Sequence, residues 1–458
     1  IKELLGMLLS ESKESEIWKK SKSADNFFLL GNTLRSSLEW KRLPKRSGAA
    51  FTMIQESQYW WSWHQEVDCR QGSIFLREMI QELPKPVLLK KSSEKSTVLH
   101  VIPRFVDEGH APSIRIYELL KHYNFDQFKV LLLIVDQHLF RREEYPYFFS
   151  DDSSSKQRGY LKIKELEGQG VEVFHLQKEG SFLSLAEEKA KEFKGFGVDL
   201  AIFHDPNEWM YLFAHQMEGV HRVFFEHGSL PKLHFFESII LNHEYEADCL
   251  RKKSLRNVYF NPLSIDLLKN EKTSVISRHK WGFSSKDVLI TTVSNSLVAR
   301  LSSDFCCCIA KILQACKQAI FLPVGFVINK DKNKIMSIFK DYGVEDQVVF
   351  LGQLEPPLSF LKEMDLYFND FPVGGGLAIL EAMAAQLPVL CLFDESSHLR
   401  SRQASLYMER DQNFVVSSCS EYINRGIELV KNSKERELLS KESYKKYQRR
   451  SLEEDYIL

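Results

Sequence analysis

From residue 96 onward the hydrophobic pattern alternates between short unbroken apolar runs and longer stretches with apolar residues at helical spacing. Residues 97–102 (TVLHVI), 128–135 (FKVLLLIV), 171–176 (VEVFHL), 200–204 (LAIFH) and 221–225 (HRVFF) are of the first kind, and 114–123 is of the second. Unbroken runs suit strands buried on both faces, and strands separated by helices imply βαβ units and a parallel sheet. The grammar then repeats. Residues 287–293 (DVLITTV), 321–327, 347–352, 366–369 and 388–392 read as strands, 301–314 as a helix, and 421–452 as a charged helical tail. The pattern predicts an α/β chain with two Rossmann-like domains facing a cleft. They cover 96–262 and 263–458, the second ending in a helix. Residues 1–95 show few strand signals and read as a small, mostly helical region, joined through Leu83-Pro84-Lys85-Pro86 and the polar 90–95 (KKSSEK).

Composition narrows the class. Of 458 residues, 44% are apolar and 27% charged, with 21 Gly and 14 Pro, which excludes collagen-like, disulfide-scaffold and wholly disordered chains. Basic and acidic residues balance at 61 against 62, so no overall basic field draws in nucleic acid. The longest pure aliphatic run, 130–135, is far below the roughly 20 residues a membrane helix needs. Eight Cys include three in a row at 306–308 but no Cys-x-x-Cys pair, which leaves a reduced, buried set in a cytoplasmic protein. The aromatic stretch 59–64 (YWWSWH) reads as packing of the helical region. His243-Glu244-Tyr245-Glu246 is followed by Ala247, so it is no His-Glu-x-x-His metal motif.

The strongest chemical signal is 365–393 (DLYFNDFPVGGGLAILEAMAAQLPVLCLF), which reads strand, glycine-rich turn, helix, turn, strand. Gly374, Gly375 and Gly376 leave backbone N–H groups uncovered by Cβ. A helix opening at Leu377 and Ala378 turns its positive end toward the same loop, a site suited to a diphosphate. Glu381, one turn into the helix, is placed for sugar hydroxyls.

This segment resembles the nucleotide-sugar signature of GT-B glycosyltransferases. Its Gly-Gly-Gly form is similar to the O-GlcNAc transferases and the bacterial cytoplasmic protein N-glucosyltransferases. Residues 291–313 (TTVSNSLVARLSSDFCCCIAKIL) are similar to the same branch. The resemblance places Asn295 in a polar stretch beside the nucleotide and Arg300 at a basic position usually held by Lys. A guanidinium there would grip the diphosphate of the leaving nucleotide. Gly352 and Gln353 begin a loop that in GT-B enzymes packs near the base. The resemblance implies a metal-independent enzyme without a cofactor. Its donor is a nucleotide sugar, most simply UDP-linked, and its acceptor is a protein or a glycan. The commonest version of the signature frames the loop with two Glu, whereas here the first position is Val373. That departure favours inversion. A retaining polysaccharide or lipopolysaccharide transferase is the alternative, and a degenerate fold acting as a binding module is another.

On the acceptor side, residues 101–115 (VIPRFVDEGHAPSIR) form the first βα loop. His110 precedes a helix, where a neutral imidazole suits proton transfer with an acceptor hydroxyl or amide. Asp205 in IFHDPNE and His227 in FEHGSLP stand at two further strand ends, the edge where parallel sheets bind ligands.

Overall fold

Alternation within the buried strands decides which helices cover which face. The structure is a computed structural model. It describes residues 95–452 except 104, 106–110, 136–152, 177–181, 207, 228–234, 253–256, 262–266, 268–275, 295–296, 328, 355–356, 373 and 394–406. The proposed N-terminal helical region and its tryptophan cluster lie outside the described residues. The chain divides into two compact units between Asn261 and Pro262.

The first unit runs β1 (Ser96–Ile102), α1 (Ala111–Lys121), β2 (Phe128–Ile134), α2 (Ser153–Gln169), β3 (Val171–His175), α3 (Phe182–Gly195), β4 (Val198–His204), α4 (Glu208–Gln216), β5 (His221–Phe225), β6 (Ser238–Leu241), α5 (Glu244–Lys252) and β7 (Val258–Phe260). Its seven strands are parallel, in the order β3-β2-β1-β4-β5-β6-β7. Leu99, Val101, Leu131 and Leu133 point to one face and pack with Phe193 of α3 and Trp209 and Phe213 of α4. Ile102, Val130 and Leu132 point to the other and pack with Ile116 and Leu120 of α1 and Leu166 of α2. Both faces are therefore apolar, as a two-sided parallel sheet requires. The apolar pattern marks β1 to β5 but not β6 and β7, whose four- and three-residue runs carry too little periodicity.

The second unit runs β8 (Val288–Val293), α6 (Leu297–Arg300), α7 (Ser303–Ala315), β9 (Ala319–Val324), α8 (Asn329–Asp341), α9 (Pro357–Leu361), β10 (Leu366–Phe368), α10 (Leu377–Ala384), β11 (Val389–Leu392), β12 (Val415–Val416), α11 (Cys419–Lys431) and α12 (Ser433–Leu452). Its five strands are also parallel, in the order β12-β11-β10-β8-β9. Residues 347–352 do not form the strand their pattern suggests. A 3₁₀ turn at Glu345–Gln347 precedes them, and Gly352 ends them at φ 74°. They touch β9 at two isolated bridges only, Val348 to Phe321 and Gly352 to Val324. Helix α7 buries Phe305, Cys306 and Ile309. It lies so close to α11 that a Cβ on Gly426 would stand 2.5 Å from Ile312 Cδ1. All seven cysteines among the described residues are free, and four of them are buried. No helix among the described residues is long and apolar enough to cross a membrane.

In each sheet the chain reverses its direction of travel once. In the first, β1 to β3 extend one way and β4 to β7 the other. In the second, β9 lies on one side of β8 and β10 on the other. Such switch points open a crevice at the carboxyl ends of the strands, where open α/β sheets take ligands.

Candidate functional site

The switch point of the second unit carries a buried polar cluster. Strand β10 is followed by a buried Asn369-Asp370 pair, three residues before the first glycine of the loop. Asp370 Oδ1 accepts from the Gly374 N–H at 3.0 Å and from Arg300 Nη1 at 3.3 Å. Its Oδ2 accepts from Thr292 Oγ1 at 3.5 Å. One carboxylate thus ties β8, α6 and the loop together. Arg300 is 13% exposed and Asp370 fully buried, so the pair is shielded from screening by solvent. Ser302 adds a second tie: its Oγ donates to the Phe371 carbonyl at 2.6 Å and accepts from the Phe305 N–H at the start of α7.

The loop itself needs glycine at two points. Gly374 has φ 72°, a left-handed conformation disfavoured for residues with a Cβ. A Cβ on Gly375 would stand 3.3 Å from Tyr367 Oη and 3.5 Å from Asn369 Oδ1. Helix α10 then starts at Leu377 with no side-chain cap from Gly376. The first-turn N–H groups of Leu377 and Ala378 have no partner within the helix, and its positive end meets the loop. Asn369 Oδ1 accepts from the Gly375 N–H at 2.8 Å, while Asn369 Nδ2 is buried with no hydrogen-bond partner. A donor left so costs about 1–3 kcal/mol unless a ligand accepts from it. Glu381 follows one turn into α10 and is buried.

Gly325 closes the opposite side of β8. Its N–H donates to the Gly352 carbonyl at 2.8 Å, and a Cβ there would lie 1.7 Å from Ser294 O. Only glycine allows that approach. Gly352 and the exposed Gln353 follow on this side. The structure therefore gathers Arg300, Gly374, Gly375, Gly376, Leu377 and Ala378 at one edge of the sheet, with Glu381 a turn further on. Asn295 lies outside the described residues. One expectation changes: the N–H groups of Gly374 and Gly375 are bonded to Asp370 and Asn369. Anion-binding capacity therefore falls to the helix start and Asn369 Nδ2. Asn369 and Asp370 were not singled out by sequence. The available signal was two short polar residues just past a buried strand, three residues before a glycine loop.

In the first unit, His110 lies outside the described residues, whereas Asp205 and His227 come together. Asp205, at φ 44° after β4, accepts from the His227 N–H at 3.0 Å. His227 Nε2 is 2.8 Å from His204 Nδ1. His204 is buried at the end of β4, and its imidazole is held well below its ordinary pKa by burial, then by His227, His100 and Arg115. Next to His227, the buried Glu226 carboxyl is pushed well above its ordinary range by burial and by Glu246. Its Oε2 accepts from the Asn242 N–H at 2.7 Å.

Solved structures share this arrangement of strands and helices. A mutant of the O-GlcNAc transferase of Thermobaculum terrenum matches with TM-score 0.66 at 12% identity, over 96% of this chain and 84% of that one. The chain has the GT-B fold. Anabaena HepE in complex with UDP and glucose matches with TM-score 0.53 at 16% identity, over 78% of this chain and 95% of that one. A mutant of TarM from S. aureus, in complex with Fondaparinux, alpha-GlcNAc-glycerol and UDP, matches with TM-score 0.53 at 10% identity, over 79% and 98%. No protein-family model and no curated protein sequence matches the chain. Within this GT-B chain, the glycine loop belongs to the second, five-stranded unit and the histidines to the first.

Proposed function

We propose that the chain is a glycosyltransferase that moves a sugar from a UDP-linked donor to a protein or glycan acceptor with inversion. The observation that carries this reading is the unpartnered Asn369 Nδ2 beside the uncapped start of α10. A buried donor and a positive helix end at one switch point suit a diphosphate. The UDP, glucose and GlcNAc-bearing compounds in the HepE and TarM structures support the choice of donor.

In this reading Leu377, Ala378 and Asn369 bind phosphate oxygens, and Glu381 serves the ribose. Gly352 and Gln353 lie beside the base, as does Asn295. Arg300, held by Asp370, is a fixed cation for the leaving group. The acceptor's oxygen or nitrogen attacks the anomeric carbon while the bond to the diphosphate breaks. The charge that collects on UDP is offset by Arg300 and the helix start, which need no reorganisation as it forms. These positive groups are what make a metal-independent route workable. His110, Asp205 and His227 of the first unit serve the acceptor's proton.

A panel of nucleotide sugars, screened for thermal stabilisation and for UDP release, tests the proposal. UDP-sugars should stabilise the protein and be turned over when an acceptor is supplied. Stabilisation by UDP without turnover on any acceptor would instead support the binding-module reading, which the use of the Gly374 and Gly375 N–H groups by Asp370 and Asn369 favours. Absence of any UDP effect would end both readings.

A further inference from the structure

Helix α7 carries three consecutive cysteines, and successive residues of a helix point about 100° apart. The three thiols therefore face three ways. Cys306 is fully buried in the core of the second unit. Cys307 is half-buried, and its thiol hydrogen-bonds with the Tyr342 hydroxyl just past α8. Cys308 turns toward α11, where its thiol and that of Cys419 are hydrogen-bonded. Cys419 is the first residue of α11 and is exposed, whereas Cys308 is buried. The facing stripes of the two helices explain the meeting. Phe305, Cys308 and Ile312 recur along one face of α7, and Cys419, Tyr422 and Gly426 along one face of α11. The Phe305 and Tyr422 rings lie 6.4 Å apart, and Ile312 packs onto the bare Gly426. Two cysteines can be bridged only where their Cα atoms come within about 7 Å. The missing side chain at Gly426 is what lets the two backbones approach so closely.

We propose that Cys308 and Cys419 are a redox-modifiable pair, which closes a disulfide between α7 and α11 when the protein meets a peroxide. The thiolate, not the thiol, attacks a peroxide. Burial, and then the adjacent Cys419, keeps Cys308 protonated, its thiol pushed up to about 12. The exposed Cys419 is therefore the sulfur that reacts first. Its thiolate takes one oxygen of hydrogen peroxide as the O–O bond breaks. The hydroxide released is protonated to water, and Cys419 is left as a sulfenic acid. The sulfur of Cys308 then attacks the Cys419 sulfur. The S–O bond breaks, and the Cys308 proton leaves with the hydroxide as a second water. Two thiols and one peroxide give one disulfide and two waters, with two electrons passing from sulfur to the peroxide oxygens. Two molecules of a small thiol reverse the change through a mixed disulfide and are themselves oxidised to a disulfide.

Both helices hold the segment 369–371. Tyr422, one turn after Cys419, donates from Oη to the Asn369 carbonyl at 3.0 Å, and its ring meets that of Phe371 edge-on at 5.2 Å. From the other side, Ser302 at the start of α7 donates to the Phe371 carbonyl. Bringing Cys308 and Cys419 from a hydrogen bond to a covalent bond draws α7 and α11 together around Tyr422, and Asn369 moves with it. Oxidation should therefore weaken UDP binding several-fold. This effect on UDP rests on the proposed donor site, whereas the disulfide itself does not.

Peptide mapping of the full chain tests the pair. The protein is treated with a slight excess of hydrogen peroxide, alkylated, and digested with trypsin without reductant. Trypsin cuts after Arg300, Lys311, Arg410 and Arg425, so the three consecutive cysteines share the peptide 301–311 and Cys419 lies in 411–425. The two peptides should appear joined, lighter than their sum by two hydrogens, with fragmentation placing the bridge at Cys308. Dithiothreitol should separate them. Cys419→Ser, at an exposed position, should lose the joined peptide, and Cys307→Ser should keep it. Cys419 carried on to a sulfinic acid without a bridge, a bridge from Cys306 or Cys307 instead, or a joined peptide confined to covalent dimers would each overturn the proposal. Calorimetric titration with UDP, on the reduced and the oxidised protein, separates it from the donor reading. No bridge with intact UDP binding defeats the pair alone. A bridge with no UDP binding in either form defeats the donor reading alone, and a bridge that leaves UDP affinity unchanged defeats the link between them.

Discussion

The two units use the same switch-point geometry with opposite electrostatics. In the second, the carboxyl ends of β8 and β10 carry a buried ion pair, an uncapped helix start and an orphan amide donor. In the first, the ends of β1, β4 and β5 carry imidazoles bonded to one another, of which burial keeps His100 and His204 neutral, beside a carboxyl that burial drives toward its neutral form. One edge holds a buried ion pair and the other holds buried imidazoles. The contrast teaches that a shared fold sets where a site lies, while a few residues at strand ends set what it can do.

The largest expected effect comes from breaking the charged edge. Arg300→Gln leaves Asp370 buried without its cation, which should cost about 3 kcal/mol of stability in denaturant titrations. The same variant should also lose UDP affinity. Unchanged stability would mean that the pair does not organise this edge.

The neutral edge should show itself through pH. The unfolded His100 binds a proton below about 6.5, whereas the folded one resists until about 3. Between those values the unfolded state holds more protons, so stability falls as the pH falls. The slope from this residue is about 1.4 kcal/mol per pH unit. His204 acts in the same direction. Glu226, raised in the folded state, acts the other way, and its contribution is lost as the pH climbs above the ordinary carboxylate range. Unfolding at pH 7, 6 and 5 should therefore show a weaker acid slope in His100→Gln than in the wild type. Equal slopes would contradict a buried neutral ring.

Ser302→Ala is the mildest of the three. It removes the cap of α7 and the bond to Phe371, and should cost about 1 kcal/mol. A loss of UDP affinity as large as that of Arg300→Gln would show that the tether, rather than the cation, controls the donor edge.

The difference between the units also explains what was legible in the sequence. Buried parallel strands announce themselves as unbroken apolar runs, so β1 to β5 and β8 to β11 were readable. The two-residue β12 and the short β6 and β7 were not. The glycine loop was readable because its chemistry is local: Gly374, Gly375 and Gly376 are consecutive. Asp370 was not, because its meaning lies in partners 70 and 78 residues away, Arg300 and Thr292. The histidine line was partly visible. His227 and Asp205 stood out at strand ends, but His100 sits inside an apolar run. Its bond to His204 depends on a register that only pairing of β1 with β4 establishes.

The proposed donor site is the edge formed by Asn369, Arg300 and the start of α10, which would bind a diphosphate. Calorimetric titration with UDP, set beside uridine, tests it most directly. UDP should bind with an affinity that uridine does not match and that Arg300→Gln weakens. Equal binding of UDP and uridine, or no binding of UDP, would contradict it.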